Sequence, residues 1–533
     1  MSLYVTLQSE IKALLQESKR RHPNVKDAAE KALQRITSLP NKNPSLTEIK
    51  DMCASEDIWR PLILACDSKN PKIISMALGS LQRLITHNVV PQVSLINVVS
   101  CVSRIEWDKD NTTDETLQLK LLQVILALYT NPDYDIPGAF LASSLGQCFK
   151  LHGSKYGSVH NTSIAAVRQL TTQMFDRLAA ACPSSEDVAP NASADQATRV
   201  DAKMESCAKN GHSLIEDLCH IADGGDGQWL KIQGTPTMTI FALQLLYAIL
   251  SGHHRTLLRL PTFGQLIHDQ LSPVLTRGLS VPVGGIEFRH ASLIYKLVSV
   301  LLVKYHSVVI DQAETFVGLQ LNVLENLDFP PWSKYLILLV FKDWAGDVGV
   351  MSALFHHYDL AADGQKVLAK WVQYIANFLQ RIYNESHAGG AIAFPAARLQ
   401  AMRSLTIDGV IDQETLMACK PADAMLLCLD ILRGCVHAIA HIHATAEDAA
   451  AGAQAVATIS ETIWGSILSS LLLLLEKCES DDVVAGALSC YQLFTDTCGK
   501  AALITIRDAY LSALCKHTLP EGITNLVAYT LTS

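Results

Sequence analysis

The chain has 533 residues, 49% hydrophobic and 18% charged, enough apolar material for several domains or one long repeat array, which excludes global disorder. With 19 Pro, 28 Gly and 6% aromatic residues, collagen-like, low-complexity and all-β readings fall away, because β domains lean on aromatics and frequent turns. The net charge of −9 disfavours a general nucleic-acid binder, yet residues 1–50 carry nine Lys or Arg against five Asp or Glu, which leaves the N-terminal end as the one suited to an anionic surface.

The basic cluster Lys19, Arg20, Arg21 and His22 comes first in the chain, flanked by Lys12 and Lys26. Those two and Lys19 are seven residues apart, and one helix would align them, but Pro23 interrupts it. Two readings stay open: cations that complement a helix C-terminus, or a contact with anionic lipid or an acidic partner. Further on, Ser45 with Glu48 and Thr112 with Glu115 have capping-box spacing. From Lys72 to Thr86, Ile73, Ile74, Ala77, Leu78, Leu81, Leu84 and Ile85 fall on one helical face. The stripe returns at Leu117–Leu128, Ile164–Phe175, Met238–Leu250, Leu293–Val303, Ala424–Ile439 and Ile463–Leu475, and most prolines fall between stripes. Tandem helices without alternating strands predict an all-α fold, an armadillo or HEAT-like α-solenoid wound into an extended superhelix.

Composition divides the array. Residues 1–182 form a first helical domain, and 183–207, which contain few large apolar side chains, read as a flexible linker. Residues 208–383 form a second domain, 384–422 an irregular segment and 423–533 further helical repeats. Within these repeats the Ala-rich stretch 444–458 is a floppy insert or a weak surface helix, with the flexible reading preferred. The fourteen cysteines include no C-x-x-C pair and none between Cys219 and Cys419, so they read as reduced core residues. The N-terminus has no secretory signal, and the longest apolar run, Ile467–Leu475, is too short to span a bilayer.

Motifs that carry reactions are missing: no phosphate-cradling G-x-x-x-x-G-K-[ST], no H-E-x-x-H and no G-x-S-x-G. His437, His441 and His443, with Cys435 nearby, come closest to a metal site, but no further ligand is spaced to complete a tetrahedron. Gly224-Gly225-Asp226-Gly227 reads as a turn. A chain of this kind, all helical surface and no reactive centre, is a binding module.

Several segments carry a family resemblance. Ile58-Trp59-Arg60-Pro61-Leu62-Ile63-Leu64-Ala65-Cys66, then Ser68-Lys69-Asn70-Pro71-Lys72 and Leu81-Gln82-Arg83-Leu84-Ile85, resemble the N-terminal dimerisation and cyclophilin-binding (DCB) domain of the large Arf guanine-nucleotide exchange factors, the BIG and GBF classes. Asn161 through Arg168 and Gln169 to Phe175 resemble a helix of the same domain. Residues 212–379 resemble the homology-upstream (HUS) domain, with Phe355-His356-His357-Tyr358-Asp359-Leu360 in place of its Asn-Tyr-Asp-Cys box. His357 and Leu360 replace that box's Asn and Cys, which points to the branch without an exchange domain, the monensin-sensitivity (Mon-two) trans-Golgi scaffolds. Glu17 to Glu30 and Arg507 to Pro520 are similar to that branch.

The resemblance implies a non-catalytic scaffold, cytoplasmic and peripheral on trans-Golgi and endosome membranes, which acts in endosome-to-Golgi recycling. It implies recruitment by an Arf or Arf-like GTPase in the GTP form, a Dopey-family partner, an aminophospholipid flippase, an anionic membrane surface and a homodimer, with no cofactor and no nucleic acid. The alternative is the regulatory arm of an exchange factor whose catalytic domain lies outside these residues. Exposed apolar side chains between Trp59 and Leu84, rimmed by Lys69, Lys72 and Arg83, are the candidate GTPase surface; the competing reading makes that helix buried core. Lys19, Arg20 and Arg21 are the candidate membrane contact. Tyr358, Asp359, Asn161, Arg168 and Gln169 are expected to do structural work between helices and domains.

Overall fold

The computed structural model describes residues 3–18, 21–39, 44–105, 115–134, 136–182, 194–281, 287–326, 329–361, 365–387, 392–410, 412–446 and 448–518. Among these no strand forms; two isolated bridges, Gly227 with Ile232 and Ile392 with Cys478, are the only extended pairings. The fold is the all-α solenoid type that the stripes predict. Its helices fall into two compact units, Met1–Leu245 and Leu246–Ser533.

The first unit holds α1 (Leu3–Ser18), α2 (Pro23–Thr37), α3 (Leu46–Cys53), α4 (Glu56–Cys66), α5 (Pro71–Thr86), α6 (Gln92–Ser103), α7 (Glu115–Thr130), α8 (Gly138–His152), α9 (Gly157–Ala181), α10 (Ala194–Ala222) and the first part of α11 (Pro236–Leu258). Side chains set the starts. Ser45 and Glu48 form the predicted capping box on α3, and Asn70 accepts the amides of Lys72 (3.0 Å) and Ile73 (3.4 Å) ahead of Pro71, whose missing N–H costs nothing at a helix start. α2 packs on α1 and α4, α5 on α1, α4 and α7, and α9 on α7, α8 and α10. Trp59, Phe149 and Phe175 are fully buried, and the Trp59 indole donates to the Cys53 carbonyl (2.7 Å), which ties α4 to α3.

The second unit continues with α12 (Pro261–Leu266), α13 (Ser272–Ser280), α14 (Phe288–Val309), α15 (Ala313–Glu325), α16 (Pro331–Gly346), α17 (Val348–Leu354), α18 (Val367–His387), α19 (Ala396–Ser404), α20 (Gln413–Met417), α21 (Pro421–Thr445), α22 (Ala449–Lys477), α23 (Asp481–Lys500) and α24 (Ile504–Thr518). α21 is its hub, packed on α16, α17, α18, α22 and α23. Gly434 permits the close crossing with α16: a Cβ there would stand 2.4 Å from the Ala345 carbonyl oxygen. Two π-helical turns, Ile267–Leu271 and Phe355–Asp359, and a 3₁₀ turn, Ile310–Gln312, interrupt the α-helices.

Three expectations need correction. Residues 194–207 of the expected linker belong to α10, while 183–193 lie outside the described residues. The irregular segment 384–422 contains α19 and α20 and is pinned at Ile392, whose amide donates to the Lys477 carbonyl (2.7 Å). The Ala-rich stretch 444–458 is not a flexible insert: from Ala449 it is the start of α22, capped by Asp448, which accepts from Ala450 N (3.2 Å). Alanine's high helix propensity, continued by the apolar stripe that follows, outweighs its weak burial.

By length and composition alone, Phe288–Glu325, Pro421–Thr445 and Ala449–Lys477 are apolar enough to cross a membrane. A search for unbroken apolar runs misses them because polar residues punctuate them. Within this unit their apolar faces lie against neighbouring helices, α21 most completely.

Candidate interaction sites

Two of the three cations expected to rim a GTPase surface are paired with carboxylates of the first unit. Lys72 Nζ lies 2.7 Å from Glu17 Oε2 of α1, and Arg83 pairs with Glu10 of the same helix, which also accepts from Ser80 Oγ at 2.8 Å. The apolar residues from Trp59 to Leu84 that were to form the surface are core: Ile73, Ala77, Leu78 and Leu81 are 0% exposed. This corrects the surface reading, because an amphipathic helix flanked by α1, α4 and α7 spends its apolar face on them. Both cations are exposed but Glu10 is only 20% exposed, so an acidic partner would compete with Glu10 and Glu17 rather than meet bare cations, and Lys72, on the more exposed pair, is the easier to draw away. Lys69 is exposed and adopts a left-handed backbone (φ 56°) in the turn before α5. Of the basic cluster, Lys19 and Arg20 lie outside the described residues; Arg21 is exposed in the turn after α1, which ends at Ser18 ahead of Pro23.

On α9, Asn161 and Gln169 face solvent, so the inter-helix role expected of them is corrected. Arg168, also exposed, donates to Gln244 Oε1 of α11 (2.9 Å). That contact belongs to a larger seam, which sequence reasoning missed. Asp217 of α10 is 2% exposed, and its carboxylate accepts the backbone amides of Gln228 (2.9 Å), Trp229 (3.2 Å) and Leu230 (2.7 Å). The Gly224–Gly227 turn is thus the entry to a loop folded back over its own helix. The loop presses Leu230 on α8, where a Cβ at Gly146 would come within 2.3 Å of the Leu230 carbonyl oxygen. Beside it, buried His152 of α8 stacks on Phe241 of α11 (4.8 Å) and lies 4.5 Å from His160; burial first, then His160, lowers its pKa to about 4. A cleft of 860 Å³ lies nearby, lined by Tyr129, Tyr134, Gln173 and Arg177.

In the second unit the expected structural role of Tyr358 and Asp359 is present, but it joins elements of one unit. Asp359 is 4% exposed and accepts from Leu368 N and Ala369 N, both at 3.0 Å, which caps α18. Burial pushes its carboxyl up while those two amides pull it down. Tyr358 Oη donates to the Ile310 carbonyl (2.6 Å) and accepts from Glu314 N (3.3 Å), so the 355–359 turn holds the 3₁₀ turn 310–312. From the other side His268 reaches Asp311 (3.0 Å). Both π turns therefore converge on one short segment. The segment 396–410 is tied as firmly. Lys342 Nζ donates to the carbonyls of Met402 (3.2 Å), Arg403 (2.9 Å) and Leu405 (3.2 Å), Lys296 Nζ to that of Val410 (2.9 Å), and Arg398 makes a two-point pair with Asp423 (3.0 and 2.7 Å).

Titratable groups fit structural roles. Burial pushes the Cys53 and Cys148 thiols up to about 12, which makes them poor nucleophiles. Among the described residues no group of three His, Cys, Asp or Glu is placed to hold a metal, and His437 and His441 are exposed.

Residues 1–181 match the family model described as the Mon2/Sec7/BIG1-like dimerisation and cyclophilin-binding (DCB) domain, and 207–367 match the Mon2/Sec7/BIG1-like HUS domain. A Homo sapiens protein named MON2 homolog is 23% identical across 100% of this chain and 36% of its own length. A Schizosaccharomyces pombe MON2 homolog is 25% identical over 72% of this chain and 22% of its own. The Caenorhabditis elegans protein named monensin-resistant homolog 2 is 28% identical over 52% and 17%. The chain spans about a third of the length of the first of these relatives. The α8–α9 to α10–α11 seam is thus where the two matched domains meet inside one compact unit.

Proposed function

The chain belongs to the Mon2/Sec7/BIG1-like family, with a DCB domain followed by a HUS domain, and from that premise we propose that it is a non-catalytic scaffold of Golgi and endosome membrane trafficking. In this reading an Arf or Arf-like GTPase in its GTP form recruits it to the trans-Golgi network and endosomes. It then assembles a Dopey-family protein and an aminophospholipid flippase for endosome-to-Golgi recycling. The observation that carries the reading is the domain pair in series, in a chain aligned along its whole length with a MON2 homolog. What supports it further is that buried carboxylates and tyrosines, with half-buried lysines, serve helix caps and helix-to-helix ties.

The same family description, a dimerisation domain, supports a homodimer formed through residues 1–181. Lys69 for the GTPase, and Lys19, Arg20 and Arg21 for anionic lipid, remain the candidate contacts. The test is capture of the 533-residue chain on beads bearing a panel of Arf-family proteins loaded with GTP or GDP. Selective capture by at least one GTP form is expected; equal capture by both forms, or none across the panel, contradicts GTPase recruitment.

A further inference from the structure

We infer that the outer face of α6 is the seam along which two copies of this chain pair, an inference that rests on the homodimer reading above and assigns it a surface. Among the described helices lying wholly within the first unit, α6 alone has no charged residue. Its inner face is core: Leu95, Val98, Val99 and Val102 are at most 1% exposed against α4, α7 and α8. Its outer face is apolar where a solvated helix would be charged. Val93 is 86% exposed and Ile96 45%, and Asn97 and Ser100 continue the same side at helical spacing. Val93 is the most exposed large apolar side chain among the described residues. Single exposed apolar residues are ordinary; two on successive turns of an uncharged helix form a stripe.

Charge argues for a second copy as the occupant. In a two-fold contact the same patch serves both partners, and near the axis each side chain meets its own counterpart. A stripe with a cation or carboxylate would then oppose like with like, whereas Val93, Ile96, Asn97 and Ser100 can pair with themselves. The charge nearest to the stripe in sequence, Arg104, pairs with Asp67 (3.6 Å). Ser103 Oγ already donates to the Val99 carbonyl (2.8 Å), so covering it leaves no donor unpaired. The helix is presented rigidly, because Gln147 of α8 donates to the carbonyls of Ser103 (2.8 Å) and Ile105 (3.2 Å) at its end. One helix face buries far less than the roughly 1,600 Å² of a standard interface, so the dimer is weak and concentration-dependent.

The experiment is sedimentation equilibrium of the 533-residue chain over a wide concentration series, beside the double variant Val93→Glu/Ile96→Glu and the variant Val93→Lys. The wild-type mass should rise toward the dimer while each variant stays monomeric with unchanged helical circular dichroism, and mixing the Glu and Lys variants should restore association. Asn97→Cys in a Cys515→Ser background gives a second readout, a cross-linked dimer on mild oxidation, that does not depend on the charged variants folding. If the wild type associates and the Glu variant does so equally, with no cross-link at position 97, the seam is wrong and the homodimer reading stands. A wild type that stays monomeric throughout overturns both.

Discussion

Replacing Asp217 by Ala removes the acceptor of three loop amides in a buried site, and a buried donor left unpaired costs about 1–3 kcal/mol. Asp217→Ala is therefore expected to lower stability to urea by ~2–3 kcal/mol and to red-shift the emission of Trp229 as its loop loosens. An unchanged midpoint contradicts the seam. Asp359→Ala loses the cap on α18 and should cost about 1–2 kcal/mol without abolishing folding. His152 supplies a pH dependence. Its folded pKa, about 4, lies below the ordinary value of 6.5, so between those values the unfolded chain binds the extra proton. Stability is full above pH 6.5, falls as pH drops through the window and levels off below 4. His152→Phe should flatten that part of the urea-midpoint profile. Tyr358 and Asp359 were legible through the family box they occupy, whereas Asp217 was not: a lone acid before a glycine turn looks like any solvated helix end until the fold turns the loop back over it.

At the scale of elements, periodicity marked the long helices, and local capping chemistry marked α3. What escaped it were segments held by distant partners. The 396–410 stretch has no clean stripe of its own; Lys342 and Lys296, more than fifty residues earlier in sequence, supply its polar anchors. Lys342→Met should leave three carbonyls and nearby Asp430 without their cation, so amide exchange in 399–410 is expected to speed up while exchange in α7 stays unchanged. The start of α22 is Ala-rich, a composition that suits a floppy insert as well as a weak surface helix. Its continuity with the 463–475 stripe predicts that amides 453–458 exchange slowly; exchange at the rate of an unstructured peptide would restore the insert. The cations of α5 show the opposite failure: their exposure was legible, but their ion pairs with α1 were not, because Glu10 and Glu17 lie more than fifty residues away in sequence.

For the whole molecule, the family and its two domains were legible from short helical motifs, but the unit of folding was not. The DCB match ends at 181, while the first compact unit runs to Leu245 and includes α10, the Asp217 loop and the start of α11. A fragment of residues 1–245 should unfold in one transition at higher urea than 1–182, which exposes Gly146, His152 and Phe149 where α11 and the loop had covered them. Equal midpoints would mean that the seam adds nothing. The central claim, a scaffold brought to membranes by a GTP-form Arf-family protein, is tested most directly by flotation of the 533-residue chain with vesicles, with and without anionic lipid, bearing Arf-family proteins in either nucleotide state. Two weak contacts on one surface add through effective concentration. The account predicts strong flotation only with anionic lipid and a GTP-loaded protein together; flotation indifferent to the bound nucleotide contradicts it.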